Sequence, residues 1–130
     1  MSHFRTALCA LVAAGAAVTL ATGPAHAGTN ISVHTSDPWQ SGTAGFQADG
    51  EKVTVCDNRG DGMRATAIFT YTASTGSKQV RVSDTNGSGN GCATKDFAIP
   101  EGNRVLLQVC VQDGAQGALR HCSTTKEGKA

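Results

Sequence analysis

Arg104-Val105-Leu106-Leu107-Gln108-Val109-Cys110-Val111-Gln112, followed by Asp113-Gly114-Ala115-Gln116-Gly117 and then Ala118-Leu119-Arg120-His121-Cys122-Ser123, is the stretch whose reading decides the fold. Val105, Leu107, Val109 and Val111 recur at every second position, the period of a strand that buries one face. The segment from Asp113 to Gly117 is glycine-rich and polar, which suits a reversal. The chain then returns beside the strand it has left. Cys110 and Cys122 stand almost symmetrically about the turn, so they face each other across adjacent strands, within bridging distance.

Upstream, the same alternation repeats. Glu51–Asp57 carries Val53 and Val55 on one face. Arg64–Thr72 carries Ala67, Phe69 and Tyr71 and is rich in Thr, Ile, Phe and Tyr, the residues that pack well on a pleated surface. Lys78–Ser83 turns Val80 and Val82 inward after a hairpin turn at Ala73–Ser77. Cys92–Ile99 follows the Gly/Asn loop Asp84–Gly91 and contributes Phe97 and Ile99, and Pro100–Asn103 is a turn. Asn58–Gly62 is a tight loop between two strands. Thr29–Thr35 is a weaker strand through Ile31 and Val33, whereas Asp37-Pro38, Gly42, Gly45 and Asp49-Gly50 give Ser36–Gly50 the chemistry of a loop. Thr124–Ala130 is polar and is expected to be disordered. No window of this part has a helical period. About six to eight short strands separated by regular turns predict an all-β fold, a small antiparallel immunoglobulin-like β-sandwich with two disulfides. A Greek-key barrel is the alternative. The layout expected is an N-terminal arm and loop at 28–50, a sandwich core at 51–123 and a tail at 124–130.

The first 27 residues obey different rules. Met1-Ser2-His3-Phe4-Arg5 is a short positive start, and Leu8–Leu20 is an almost unbroken apolar run, too short to span a bilayer. Thr22-Gly23-Pro24 breaks any helix, and Ala25-His26-Ala27 has the small-x-small form that signal peptidase cuts. Residues 1–27 are therefore expected to be a cleavable signal peptide of bacterial type, and the product to be secreted. Cys9 precedes most of the apolar run, so it is not placed as a lipid-anchor cysteine.

Cleavage would leave Gly28–Ala130 with ten Lys+Arg against ten Asp+Glu, since only Arg5 of the eleven cations is lost. A neutral domain without a cation cluster excludes phosphate-driven nucleic-acid binding and adhesion to anionic membranes. Cys56, Cys92, Cys110 and Cys122 remain. In an exported chain four cysteines read as two disulfides, and no close C-x-x-C pair is present to hold zinc. The facing of Cys110 and Cys122 leaves Cys56 to Cys92. The competing pairing, Cys56 with Cys110, has the spacing of an immunoglobulin inter-sheet bridge and stays open.

Chemistry is hard to find. His34 and His121 are the only histidines beyond the leader, and neither belongs to a G-x-S-x-G elbow or an H-E-x-x-H pair. No cofactor and no catalysis are expected. Asp57, Asp61, Asp84, Asn86 and Asn90 sit in two loops that a Cys56–Cys92 bridge would draw together, and oxygen-only ligands suit calcium. The spacing departs from the calcium loop of an EF-hand, because Arg59 and Ile68 fall at ligand positions, and the same residues also serve turns. Arg59-Gly60-Asp61 spells an adhesion tripeptide but reads as a turn. Asn30-Ile31-Ser32 and Asn86-Gly87-Ser88 match the glycosylation sequon, which a bacterial export route is not expected to use. Trp39 is the single tryptophan, set in a polar run outside every strand, and tryptophan is a common anchor at interfaces and a platform for sugar rings. Trp39 and Phe46, with Ile31 and Val33, make 29–50 the expected contact surface, or an arm that adds a strand to a partner's sheet.

Val53-Thr54-Val55-Cys56-Asp57, Asp61-Gly62, Asn86-Gly87-Ser88-Gly89-Asn90-Gly91-Cys92, Pro100-Glu101-Gly102, Val109-Cys110-Val111 and Cys122-Ser123 together resemble a group of small secreted actinobacterial proteins. The resemblance covers about residues 51–123. It implies a disulfide-stapled β-sandwich with the Cys56–Cys92 and Cys110–Cys122 pairing, and it implies no activity. In size and export the chain is also similar to the small adaptor subunit of secreted actinobacterial toxin complexes, which joins a lectin to a larger toxin chain. The expected function is a secreted, non-enzymatic binding or adaptor module for an extracellular protein, or glycan, partner. The alternative is an inhibitor of an extracellular protease or glycosidase, presenting Asn58–Gly62 or Asp113–Gly117.

Overall fold

Nine strands follow one another with no helix between them among the described residues, which in this computed structural model are 28–130. The leader expected at 1–27 lies outside them. In chain order the strands are β1 (Ile31–His34), β2 (Gly42–Gln47), β3 (Lys52–Asp57), β4 (Arg64–Ala73), β5 (Gly76–Ser83), β6 (Ala93–Asp96), β7 (Arg104–Gln112), β8 (Leu119–Arg120) and β9 (Lys126–Lys129). One sheet has the order β1-β2-β3-β6; the other has β5-β4-β7-β8, with β9 also pairing with β7. All pairs are antiparallel. The chain passes between sheets after β3, β5 and β6, which gives the expected small antiparallel β-sandwich.

The alternation read in the sequence sets which faces meet. Val53 and Val55 from one sheet, and Ala67, Phe69, Val105, Leu107 and Val109 from the other, are fully buried. Register places Phe69 beside Leu107 and Ala67 beside Val109. Phe46 stacks on Phe69 with ring centroids 5.2 Å apart, and Phe97 packs on Phe69 at 4.9 Å. These aromatic contacts tie the two sheets together where the core holds few large side chains.

The boundaries expected at both ends of the core are corrected by the structure. Residues 28–50 are not an arm: β1 and β2 complete the first sheet, and Ile31, Val33, Ala44 and Phe46 are core residues. Gly42, one of the glycines that gave this segment a loop reading, serves close packing instead, whereas Gly50 does sit in a turn at φ 84°. A Cβ on Gly42 would come within 2.9 Å of the Ala65 Cβ, so the sheets approach too closely there for any larger residue. Residues 124–130 are not a disordered tail either. β9 pairs with Arg104–Leu107 of β7, and Thr29 bridges to Lys129. Backbone pairing needs no apolar pattern, so the polar run Lys126–Lys129 gives no periodic signal. The strand expected over Cys92–Ile99 is shorter, Ala93–Asp96, although Ile99 is buried.

Both disulfides have the pairing favoured above, Cys56–Cys92 and Cys110–Cys122, with Cα atoms 4.4 and 4.1 Å apart. The immunoglobulin-type pairing, Cys56 with Cys110, is not formed, and strand parity explains why. Val53 and Val55 point inward on β3, so Cys56 leaves by the outer face. Val109 and Val111 point inward on β7, so Cys110 leaves by the outer face of the opposite sheet. The returning chain slips in register between β8 and β9. His121, at φ 50°, sits in that slip and aligns Cys122 with Cys110.

Candidate functional site

Four connections meet at one end of the sandwich: Thr35–Ser41, Asn58–Met63, Asp84–Cys92 and Asp113–Cys122. The first is a knot around one carboxylate. Asp37 accepts hydrogen bonds from the Thr35 hydroxyl, from the Ser41 hydroxyl at 2.7 Å and from the Ser41 N–H at 3.1 Å. The Gly42 N–H donates to the Thr35 hydroxyl at 3.1 Å, which ties the knot to β2. Burial works to raise the Asp37 pKa, but the donors from Thr35 and Ser41 outweigh it and hold the carboxyl at about 2. The chain between these anchors loops outward and carries Trp39 at its apex, 66% exposed.

The second connection is sewn to the first. The Asn58 N–H donates to the Ser41 carbonyl at 2.8 Å, and the Asn58 side-chain amide donates to the Gln40 carbonyl at 3.1 Å. These bonds set Arg59 against the tryptophan, its guanidinium carbon 4.0 Å from the ring centroid. A planar cation on an aromatic face keeps its N–H edge available to a ligand. The Asp57 N–H donates to Asp84 at 2.9 Å, joining the second connection to the third. The Cys56–Cys92 bridge closes the same junction. Asn86 and Asn90 each donate a side-chain amide to the other's carbonyl, at 2.8 and 2.7 Å, which closes the glycine-rich loop on itself. The fourth connection is held by the Gln112 side-chain amide, which donates to the Ala115 and Gly117 carbonyls, and by the Ser36 N–H, which donates to the His121 carbonyl.

Between these loops lies a cleft of about 290 Å³ walled by Asp57, Arg59, Arg64, Asp84, Ser88 and Asp113. A smaller hollow of about 140 Å³ lies between Trp39, Arg59, Asp61, Met63 and His121. Arg59 and Met63 line both. Asp84 is 1% exposed, its carboxylate taken up by the Asp57 and Asn86 N–H groups. Burial raises the Asp57 pKa against the hydrogen bond from the Arg59 N–H, and the charges of Asp61 and Asp84 raise it further. Among the described residues the ion pairs are Lys52–Asp96 and Arg104–Glu127, both away from this end. Arg59, Arg64 and Asp113 line the cleft and Asp61 the smaller hollow, none of them ion-paired among the described residues.

Of the four residues expected to form a contact surface, only Trp39 is on the surface. Phe46 is 2% exposed, and Ile31 and Val33 are also buried, because all three face the opposite sheet across the core. The structure brings Asp57 and Asp84 together as expected for the two acidic loops. No group of three His, Cys, Asp or Glu side chains among the described residues is arranged to hold a metal ion. Arg59 was legible only as part of a turn; its stacking on Trp39 arises from two loops separated by β2 and β3. Arg64 and Asp113 gave no local signal. Among the described residues no helix is long and apolar enough to cross a membrane. Comparison with family models, curated proteins and solved structures returns no match.

Proposed function

We propose that this protein is a secreted, non-catalytic binding module, an adaptor in the broad sense, that holds an extracellular protein partner through the loop end of its sandwich. The single observation that carries this reading is Trp39, the exposed large hydrophobic residue among the described ones, held out on an Asp37-centred knot with Arg59 against its ring. An exposed indole on a flexible loop would lose side-chain and backbone freedom on binding. Here the loop is already fixed, so less of the contact energy is spent on ordering. Trp and Arg are also the residue types that dominate interface energetics. The two disulfides and the leader-like residues 1–27 support an extracellular setting.

A glycan partner is the second reading. It is favoured by the polar cleft beside Trp39, whose Asp, Arg and Ser side chains match the hydroxyl groups of a sugar while the indole offers a stacking face. The inhibitor reading is less well supported, because Arg59, the long side chain of the Asn58–Gly62 loop, lies on Trp39 instead of projecting toward an enzyme.

The test is capture by immobilised wild-type, Trp39→Ala and Arg59→Ala proteins from the medium of the producing cells, read by quantitative mass spectrometry, with a glycan array in parallel. The expected result is a protein retained by wild type and lost at least tenfold with Trp39→Ala, at unchanged melting temperature. Equal retention by all three proteins would remove the loop end from consideration. Glycan-array binding that depends on Trp39 would transfer the reading to sugars.

A further inference from the structure

The two lateral sides of the sandwich are built differently. On one, β1 and β9 are joined by the Thr29–Lys129 bridge, and the Lys126 ammonium donates to the Ser32 carbonyl at 3.1 Å. On the other, β5 and β6 end their sheets and approach each other without pairing. β6 is four residues long, whereas β5 runs for eight, Gly76–Ser83, with no proline. The Asp84 N–H donates to the Ala65 carbonyl at 3.0 Å, which fixes the hydrogen-bonding phase of the β4–β5 ladder. Residues 76, 78, 80, 82 and 84 bond to β4, so Ser77, Gln79, Arg81 and Ser83 direct their N–H and C=O groups away from the sheet.

This side of the core is also incompletely covered. Tyr71, Val80, Ala93 and Phe97 pack against the buried cluster but stay partly exposed. A free edge next to half-covered apolar side chains is the arrangement that a further strand would complete. The charges on β5 and β6 that have no ion-pair partner among the described residues share one sign. Lys78 and Arg81 project from β5, Lys95 stands on β6 with its ammonium 5.6 Å from the Phe97 ring centroid, and none of the three is ion-paired among the described residues. The one acid on β6, Asp96, is held by Lys52.

We propose that β5 accepts an extended, acidic segment of another polypeptide as an added strand. Apolar residues at alternate positions of that segment cover Val80, Tyr71 and Phe97, and the carboxylates between them meet Arg81 on the outer face of β5, while Lys78 and Lys95, which share the core-facing side with Val80, flank the apolar patch. A second copy of this chain fits poorly, because antiparallel self-pairing would bring the β5 cations of two molecules together. This surface is separate from the loop end, and the inference does not rest on Trp39.

The test uses ¹⁵N-labelled protein, residues 28–130 with both disulfides formed, titrated with a capped seven-residue peptide alternating glutamate and valine, and with its lysine–valine counterpart. The expected result is slowed hydrogen exchange and shifted amide signals at Ser77, Gln79, Arg81 and Ser83 with the glutamate peptide, and at least tenfold weaker effects with the lysine peptide. Gln79→Pro removes an N–H that no strand of this protein uses and leaves the β4–β5 ladder intact, so it should fold normally and lose peptide binding. Arg81→Glu should remove the preference for the glutamate peptide. The proposal is overturned by the absence of shifts at these amides up to millimolar peptide. It is equally overturned by binding that Gln79→Pro leaves unchanged, or by β5-dependent self-association without peptide binding.

Discussion

Reduction of the two disulfides is the perturbation with the largest expected effect. Cys56–Cys92 closes a loop with a sequence separation of 36, and Cys110–Cys122 one of 12. In the chain-entropy treatment the longer loop contributes about 3.8 kcal/mol at 25 °C and the shorter about 2.8 kcal/mol. The loops do not overlap in sequence, so the two contributions add, to roughly 6.6 kcal/mol. A domain of this size has a total stability on the order of 5–15 kcal/mol. Its core is also built largely of valine and alanine, with Phe46, Phe69 and Leu107 the largest fully buried side chains. Reduction is therefore expected to leave the chain marginal or unfolded at 37 °C. The assay is urea denaturation at pH 7 followed by far-ultraviolet circular dichroism, with and without reductant, on unmutated protein so that no cavity confuses the comparison. A loss of 5 kcal/mol or more, or unfolding without urea, is the expected outcome. A loss below about 2 kcal/mol would refute the premise that the bridges act by restricting the unfolded chain. Peptide mapping that found Cys56 joined to Cys110 would refute the parity argument itself. Separate removal of each pair should show a smaller contrast than the loop lengths suggest. Cys110 is fully buried and Cys56 only half-buried, so truncation at Cys110 also loses packing.

Asp37→Asn should flatten the acid limb of the stability profile: the folded-state pKa of about 2 lies below the usual carboxylate value of 3.8, so the Asp37 contribution is complete above about pH 5 and is lost as pH falls toward 2. The shift corresponds to roughly 2 kcal/mol, and urea midpoints between pH 5 and 2 that fall equally steeply in both proteins would contradict it; Asp57, whose pKa is raised, acts with the opposite sign in both. Phe46→Ala should cost about 3–5 kcal/mol in the same assay, the behaviour of a core residue, whereas a change under 1 kcal/mol would return Phe46 to the surface.

Much of the architecture is readable along the chain. β3, β4, β5 and β7 carry their inward valines, alanines and phenylalanine at every second position, and the period follows from strand geometry before any partner is known. β2 hides because glycine and alanine fill alternate inward positions where the sheets approach closely, and those residues also mark loops. β9 hides because its stabilisation is backbone pairing with β7, which leaves no trace in hydropathy. The candidate site was half legible. A lone tryptophan in a polar run draws notice by itself, whereas Arg59 acquires its role only when Asn58 bonds to Ser41 and Gln40.

Sequence by itself determined the all-β class, most strand positions and which face of β3, β4, β5 and β7 turns inward, because all of these follow from local period and local turn chemistry. Tertiary structure alone decided that residues 28–50 and 124–130 belong to the sheets, that Trp39 meets Arg59, and that β5 is left at an open side. Each of those outcomes depends on which segments, far apart in the chain, come to lie next to one another, and neither spacing nor composition encodes that.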